Sequence, residues 1–318
     1  MKIKTINQII LIVMLSFLFA SCGKKTISQE TPDTQAKEII QQIQNAKKEI
    51  LAYKENGKKL CETPEDCLFL SFWDFDGTIL KGDCSEGLIE NGQVVYKGLE
   101  QVSIEAGLSP KYDKNGYEKF VKAEERLDKT KGHIVAYDYI AQIFAGRDRK
   151  EMERFSTNHF ESVLQNYYFS QSIEIFNSMR EQSDFRVYII SASPDFFVKG
   201  SSTTVNVPLT QIRGVNLEDN NGILTEKVIL PITYAEGKTK TVLKIVDEIK
   251  AEGKYKNIFV LAGFGNSYHT DGNFLKYIST QKLVAGKPIA VMINGGQTPA
   301  EYEGFFYKVS HSKTLSGK

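Results

Sequence analysis

Residues 68–75, LFLSFWDF, run with hardly a polar side chain until Asp74. An apolar run of this kind is expected to be a strand buried on both faces. Helices must then cover it, and the second half of the chain supplies them in alternation with further strands. FRVYIISAS (185–193) reads as a strand, GKTKTVLKIVDEIK (237–250) as a helix, and NIFVLAGFG (257–265) and KPIAVMI (287–293) as strands. This alternation predicts an α/β fold, a doubly wound parallel sheet with helices on both faces, whose ligands lie beyond the carboxyl ends of the strands. Between the first two strands the pattern is mainly helical, most clearly in GYEKFVKAEERL, IVAYDYIAQIF and SIEIFNSMREQ.

Three predicted strands end in polar residues of complementary kinds. The first ends Asp74-Phe75-Asp76-Gly77-Thr78, the second in Ser191, and the third in Gly263-Phe264-Gly265-Asn266-Ser267 with Asp271 shortly after; Gly237-Lys238 opens the helix between the last two. Convergence at one crevice gathers carboxylates, a hydroxyl, an ammonium and an amide, a set suited to a phosphate ester and a divalent cation. Alternation along the chain puts Asp74 and Asp76 on one side and turns Phe75 into packing. One carboxylate can attack phosphorus while its neighbour protonates the leaving oxygen and later activates water. Because a carboxylate and a phosphate dianion repel each other, the pair calls for positive charge, from Lys238 and from Mg²⁺ on hard oxygen ligands. Ser191 is placed to donate a hydrogen bond to a phosphate oxygen.

WDFDGTILKGD, VYIISASPDFF, GVNLEDNNGILTEKVILPITYAEGK and VLAGFGNSYHTD together resemble the haloacid dehalogenase superfamily, in particular its phosphoserine-phosphatase-like branch, over residues 67–295. The resemblance implies Asp74 as nucleophile, Asp76 as acid/base, and Thr78, Ser191 and Lys238 as phosphate-binding residues. It implies Mg²⁺ held by Asp74, the Asp76 carbonyl and an acid of the last motif. That motif usually begins with an acid, whereas this chain has Asn266, so the ligand is either its amide oxygen or Asp271. The resemblance also makes residues 82–183 a helical cap over a core of 67–81 and 184–318. Asp83 stands where such enzymes have an acid touching a substrate amine; a capping or solvated aspartate is the alternative. The expected activity is a Mg²⁺-dependent phosphomonoesterase on a small phosphorylated, amine-bearing metabolite of phosphoserine, phosphocholine or phosphoethanolamine type. Dehalogenation by the same nucleophile and phospho-ligand binding without turnover are the alternatives.

In the cap, Tyr96, Tyr112, Tyr117, Tyr137, Tyr139, Tyr167 and Tyr168 are candidates for either a cage around a quaternary ammonium or ordinary core. With 40 Lys and Arg against 39 Asp and Glu, the chain offers no electrostatic case for nucleic acid. Cys61 and Cys67 flank a short loop, as a disulfide or as two free thiols.

The segment 1–22, MKIKTINQIILIVMLSFLFASC, has a basic start, an apolar stretch and small residues before Cys22. It resembles a bacterial lipoprotein signal, with Phe19 where Leu or Val is more usual. Its apolar stretch is shorter than the ~20 residues that cross a bilayer. The expectation is an exported lipoprotein held to the cell membrane or outer membrane through a lipid on Cys22, with residues 23–66 as tether and helix and the catalytic domain outside the cytoplasm. Cys22→Ala should move the chain out of the membrane fraction or leave it unprocessed; retention after alkaline washing would mean that the lipid is not the anchor.

Overall fold

A computed structural model describes residues 32–63 and 66–317. The proposed signal segment, its Cys22 and the start of the tether lie outside these residues. No helix among the described residues is long and apolar enough to cross a membrane.

Strands β1 (Lys54–Glu55) and β2 (Lys58–Lys59) form a small hairpin ahead of β3 (Cys67–Trp73). A second hairpin, β4 (Gly87–Glu90) and β5 (Gln93–Lys97), opens the inserted segment. After it come β6 (Phe185–Pro194), β7 (Ile212–Asn220), β8 (Ile223–Ile229), β9 (Asn257–Gly265), β10 (Ile289–Ile293) and β11 (Tyr307–Val309). The main sheet has seven strands in the order β11-β10-β9-β3-β6-β7-β8. Its pairs are parallel except β7–β8, an antiparallel arm at one edge. The doubly wound α/β expectation therefore holds. From β3 the order runs through β6 to one side and β9 to the other, so the chain reverses beside β3, where such sheets open a crevice.

Every residue of β3 is buried. Leu68, Leu70 and Phe72 pack with Val242 and Ile245 of helix Glu236–Ala251 and with Phe274 and Leu275 of helix Tyr268–Ser279. On the opposite face Trp73 stacks on Phe264 at 3.7 Å and meets Phe176 edge-on at 5.3 Å. Burial on both faces is why the strand reads as one apolar run rather than an alternation. Helix Pro32–Ala52 buries Ala36, Ile39, Ile43, Ala46 and Ile50, a single helical stripe, and packs against helix Ser170–Arg180. Cys61 and Cys67 form a disulfide with Cα atoms 5.6 Å apart, which ties this N-terminal region to the start of β3; Cys84 is free and buried.

Two features of residues 82–183 differ from the sequence reading. The segment begins with the β4–β5 hairpin, which turns on Asn91-Gly92 with positive φ at both residues, the usual requirement of a two-residue hairpin turn. Helices Leu99–Glu105, Tyr117–Lys131, His133–Gln142 and Arg149–Ser162 follow. Helix Ser170–Arg180, however, lies against β6 and the N-terminal helix, because Ile175, Phe176 and Met179 have the sheet as their apolar partner. The segment over the strand ends thus closes near Phe169. There its two linkers are hydrogen-bonded, Lys81 N–H to the Tyr167 carbonyl at 2.9 Å and Phe169 N–H to the Ile79 carbonyl at 2.8 Å. The far side is tied to the arm, since Arg149 N–H donates to the Gly222 carbonyl and Leu224 N–H to the Arg147 carbonyl, both at 2.8 Å.

Truncating Phe176 to Ala should cost about 3–5 kcal/mol, the usual loss for a large aromatic removed from a core. Urea unfolding measures this, and a loss below about 1 kcal/mol would exclude the helix from the core.

Candidate active site

Asp74 is the first residue beyond β3, and its N–H continues the ladder by donating to the Phe264 carbonyl at 2.8 Å. Its side chain is buried and has two partners. Thr78 Oγ1 donates to Oδ2 at 2.8 Å, and Lys238 Nζ donates to Oδ1 at 2.6 Å. Lys238 lies in the first turn of helix Glu236–Ala251, just after Ala235, a non-glycine residue at φ 48°. Such a backbone is strained for a residue with a Cβ, and here it sets the entry of the helix that delivers the ammonium.

The ammonium has a second carboxylate, Asp271 Oδ1, also at 2.6 Å. Asp271 Oδ2 accepts from the N–H groups of Asn266 at 2.9 Å and Ser267 at 3.0 Å, so this side chain shapes the loop after β9 as well as holding Lys238. Burial works against the charge on Lys238, but Asp271 and Asp74 more than offset it and hold the amine protonated. Asp74 itself is raised to about 7, first by burial and then by Asp271, against the pull of Lys238.

Asp76 is housed differently. Cys84 N–H donates to Oδ1 at 2.7 Å, while the hydroxyls of Ser191 at 3.0 Å and Ser193 at 2.8 Å donate to Oδ2. No ammonium or guanidinium bonds it among the described residues. Burial, then Asp83, then Asp74 push its carboxyl well above the ordinary range. Phe75, between the two acids, is fully buried against Phe160 and Tyr168, as alternation requires.

The six expected residues thus come together at one site as two hydrogen-bonded groups, Thr78, Asp74, Lys238 and Asp271 in one and Asp76 with Ser191 in the other, linked by the chain through Phe75. Asn266 also reaches it: a Cβ placed on Gly77 would stand 1.8 Å from Asn266 Nδ2, so the loop after β9 touches the turn after the aspartates only because residue 77 is glycine. Ser193 was not foreseen, although Ser191-Ala192-Ser193 on one strand puts both hydroxyls on the same face. Asp83 Oδ1 accepts from the N–H groups of Ser85 at 2.7 Å and Glu86 at 3.0 Å, closing the turn ahead of β4 rather than capping a helix.

The donor set fits a divalent cation. Asp74 and Asp271 share one buried ammonium, and Asp76, raised by Asp83 and Asp74, has no cation of its own among the described residues, an excess of hard, negative oxygen that a cation would offset. Asp76, Asp83 and Cys84 also offer ligand atoms within 4.8 Å of one another.

The model of one family, haloacid dehalogenase-like hydrolase, matches residues 71–269. Among solved structures, a protein of unknown function from Bordetella pertussis Tohama I aligns with a TM-score of 0.53 at 12% identity, over 76% of this chain and 98% of that one. A functionally unknown protein from Anaerococcus prevotii DSM 20548 aligns with a TM-score of 0.53 at 14% identity, over 87% and 94%. Both share the fold. A probable phosphoserine phosphatase from Vibrio cholerae aligns with a TM-score of 0.43 at 11% identity, over 80% and 62%, too distant to bear on function. No curated protein matches the sequence.

Removing the Lys238 ammonium leaves two buried carboxylates facing each other. Lys238→Met should therefore cost about 3–5 kcal/mol at pH 8. The cost should shrink toward pH 5, where Asp74 takes up a proton and sheds its charge; chemical denaturation at the two pH values would expose a pH-independent loss, which this account does not allow.

Proposed function

Because the chain belongs to the haloacid dehalogenase-like hydrolases, whose model matches more than half of its length, we propose that it hydrolyses phosphate monoesters through an aspartyl phosphate on Asp74. The observation that carries this reading is the unequal housing of two neighbouring acids. Asp74 is paired with an ammonium that favours its ionised form, whereas Asp76 sits among hydroxyl and amide donors with its carboxyl raised.

In the first step an Asp74 oxygen forms a bond to phosphorus as the bond to the leaving oxygen breaks, and protonated Asp76 gives its proton to that oxygen. In the second, the Asp76 carboxylate takes a proton from water, the resulting hydroxide bonds to phosphorus, and the Asp74–phosphorus bond breaks. Thr78, Ser191 and Lys238 are assigned to the phosphate oxygens. Asp74, the Asp76 carbonyl and the Asn266 amide are assigned to Mg²⁺, with Asp271 left to orient Lys238. Mg²⁺ would supply charge neutralisation between the carboxylate and the phosphate. Dehalogenation would give Asp76 no task, so its three donors favour phosphate transfer over that alternative.

We assign as substrate a small phosphorylated, amine-bearing metabolite, and as location the outer side of a membrane through Cys22. The Cys61–Cys67 disulfide supports an oxidising compartment.

Wild-type protein with Mg²⁺ is expected to release phosphate from an aryl phosphate, Asp74→Asn to release none, and Asp76→Asn to lose about 10²–10⁴-fold in turnover. A turning-over Asp74→Asn enzyme would end the proposal. Since Asp74 must be ionised to attack and its carboxyl is raised to about 7, kcat/KM should fall as pH drops through that region. Raising Mg²⁺ should shift this acid limb to lower pH, because a bound cation favours the carboxylate over the acid. A limb indifferent to Mg²⁺ would separate the metal from Asp74.

A further inference from the structure

The tail that follows β11 reaches back to the turn carrying the nucleophile. It first passes Asn294, the residue after β10, which has φ 54° and bonds His311 on both sides. Asn294 Oδ1 accepts from the His311 N–H at 3.0 Å, and its Nδ2 donates to the His311 carbonyl at 2.9 Å. The tail then runs antiparallel to the linker that closes the inserted segment: Ser170 N–H donates to the Lys313 carbonyl and Leu315 N–H to the Tyr168 carbonyl, both at 2.9 Å. The same linker is bonded to Ile79 and Lys81, so tail, linker and nucleophile loop lie side by side. His311 and the rest of the tail fall outside the residues 71–269 that the family model matches.

His311 is 3% exposed, and Ser172, in the first turn of helix Ser170–Arg180, is fully buried. His311 Nδ1 lies 2.8 Å from Ser172 Oγ, and Ser172 Oγ donates to the Thr78 carbonyl at 2.5 Å. A hydroxyl has one proton to give. Since the carbonyl receives it, Ser172 accepts from the ring, which places the proton of the neutral imidazole on Nδ1. Burial lowers the ring to about 4, so it is neutral at pH 7. Thr78 is also fully buried, and each of its polar groups is tied. Its N–H donates to the Phe75 carbonyl at 3.2 Å, its Oγ1 to Asp74 Oδ2 at 2.8 Å, and its carbonyl has Ser172 as its only donor among the described residues. Without that donor a buried carbonyl is left unsatisfied, and the turn must shift to find another.

We propose that His311 and Ser172 are positioning residues for Asp74, through which the tail fixes the Thr78 carbonyl and with it the hydroxyl bonded to the nucleophile. This rests on the phosphatase reading for the reaction. Neither side chain reaches Asp74 itself, so both act through Thr78.

Ser172→Ala and His311→Leu, assayed with an aryl phosphate and Mg²⁺, should each lower kcat about tenfold and change KM less than about threefold, since a nucleophile held slightly out of line costs rate more than binding. The double variant should lose about as much as either single one, because both act through one carbonyl. His311→Asn, whose amide nitrogen takes the place of Nδ1, should recover most of the loss. A general loss of packing would instead give losses that multiply and no rescue. Hydrogen exchange read by mass spectrometry follows the contact without turnover: amides of residues 77–80 should exchange about tenfold faster in Ser172→Ala, and those of β10 at the wild-type rate. If wild type hydrolyses no ester, the phosphatase reading falls, and exchange alone decides whether the tail holds the turn. If His311→Leu does not fold, a slowed Ser172→Ala beside a nearly unimpaired His311→Asn supports the proposal. Unchanged kcat in Ser172→Ala, multiplying losses in the double variant, no recovery with His311→Asn, or exchange at residues 77–80 that stays at the wild-type rate would overturn it.

Discussion

The ammonium of Lys238, 2.6 Å from Asp74 and 2.6 Å from Asp271, is the contact on which the rest of the site depends. It joins the end of the central strand to two helices that both lie on one face of the sheet. Without it, two buried carboxylates would repel one another, and the loops carrying them would have no reason to approach. Asp271 in turn holds the Asn266 and Ser267 amides, so the same charge fixes the loop after β9. A single buried cation thus ties the ends of β3 and β9 together, and it does so while leaving its two carboxylates one positive charge short.

That shortage connects stability with function. A protein stabilised at every point would neutralise Asp76, Asp83 and Glu100 internally; this one leaves all three carboxyls raised by burial, and those of Asp76 and Glu100 by neighbouring acids as well. Polar strain of this kind is typically found where a ligand completes the charge balance. Asp74 and Asp271 share one ammonium while Asp76 has none among the described residues, so both halves of the strand-end site are short of positive charge.

The core was legible in the sequence because burial on both faces leaves β3 and β9 almost wholly apolar, and because helices of ordinary spacing separate the strands. Asp74 and Asp76 stand out at the end of a buried strand, whereas Ser191, inside β6, and Lys238, in the first turn of a helix, are legible only through the order and context of the motifs. The hairpins were not read, although Asn91-Gly92 and Asn221-Gly222 each supply the two positive φ values of a tight turn. Polar flanks and short strands hid the alternation there. Glu100 was missed because LEQVSIE looks like a helix with a solvated acid; only the fold shows that this acid points inward. Helix Ser170–Arg180 was assigned to the insertion because helical periodicity identifies a buried face without saying what covers it.

The antiparallel arm β7–β8 has a mechanical consequence. Its outer strand is clasped by the backbone at Arg147 and Arg149, while the linkers at Lys81 and Phe169 clasp the other end of the same inserted segment. A segment held at one end can swing like a door; one held at both ends cannot turn without dragging its second fastening along. Any rotation of residues 82–169 away from the sheet therefore either breaks the bonds at Gly222 and Leu224 or bends the arm with it, so that the edge of the sheet would act as a leaf spring.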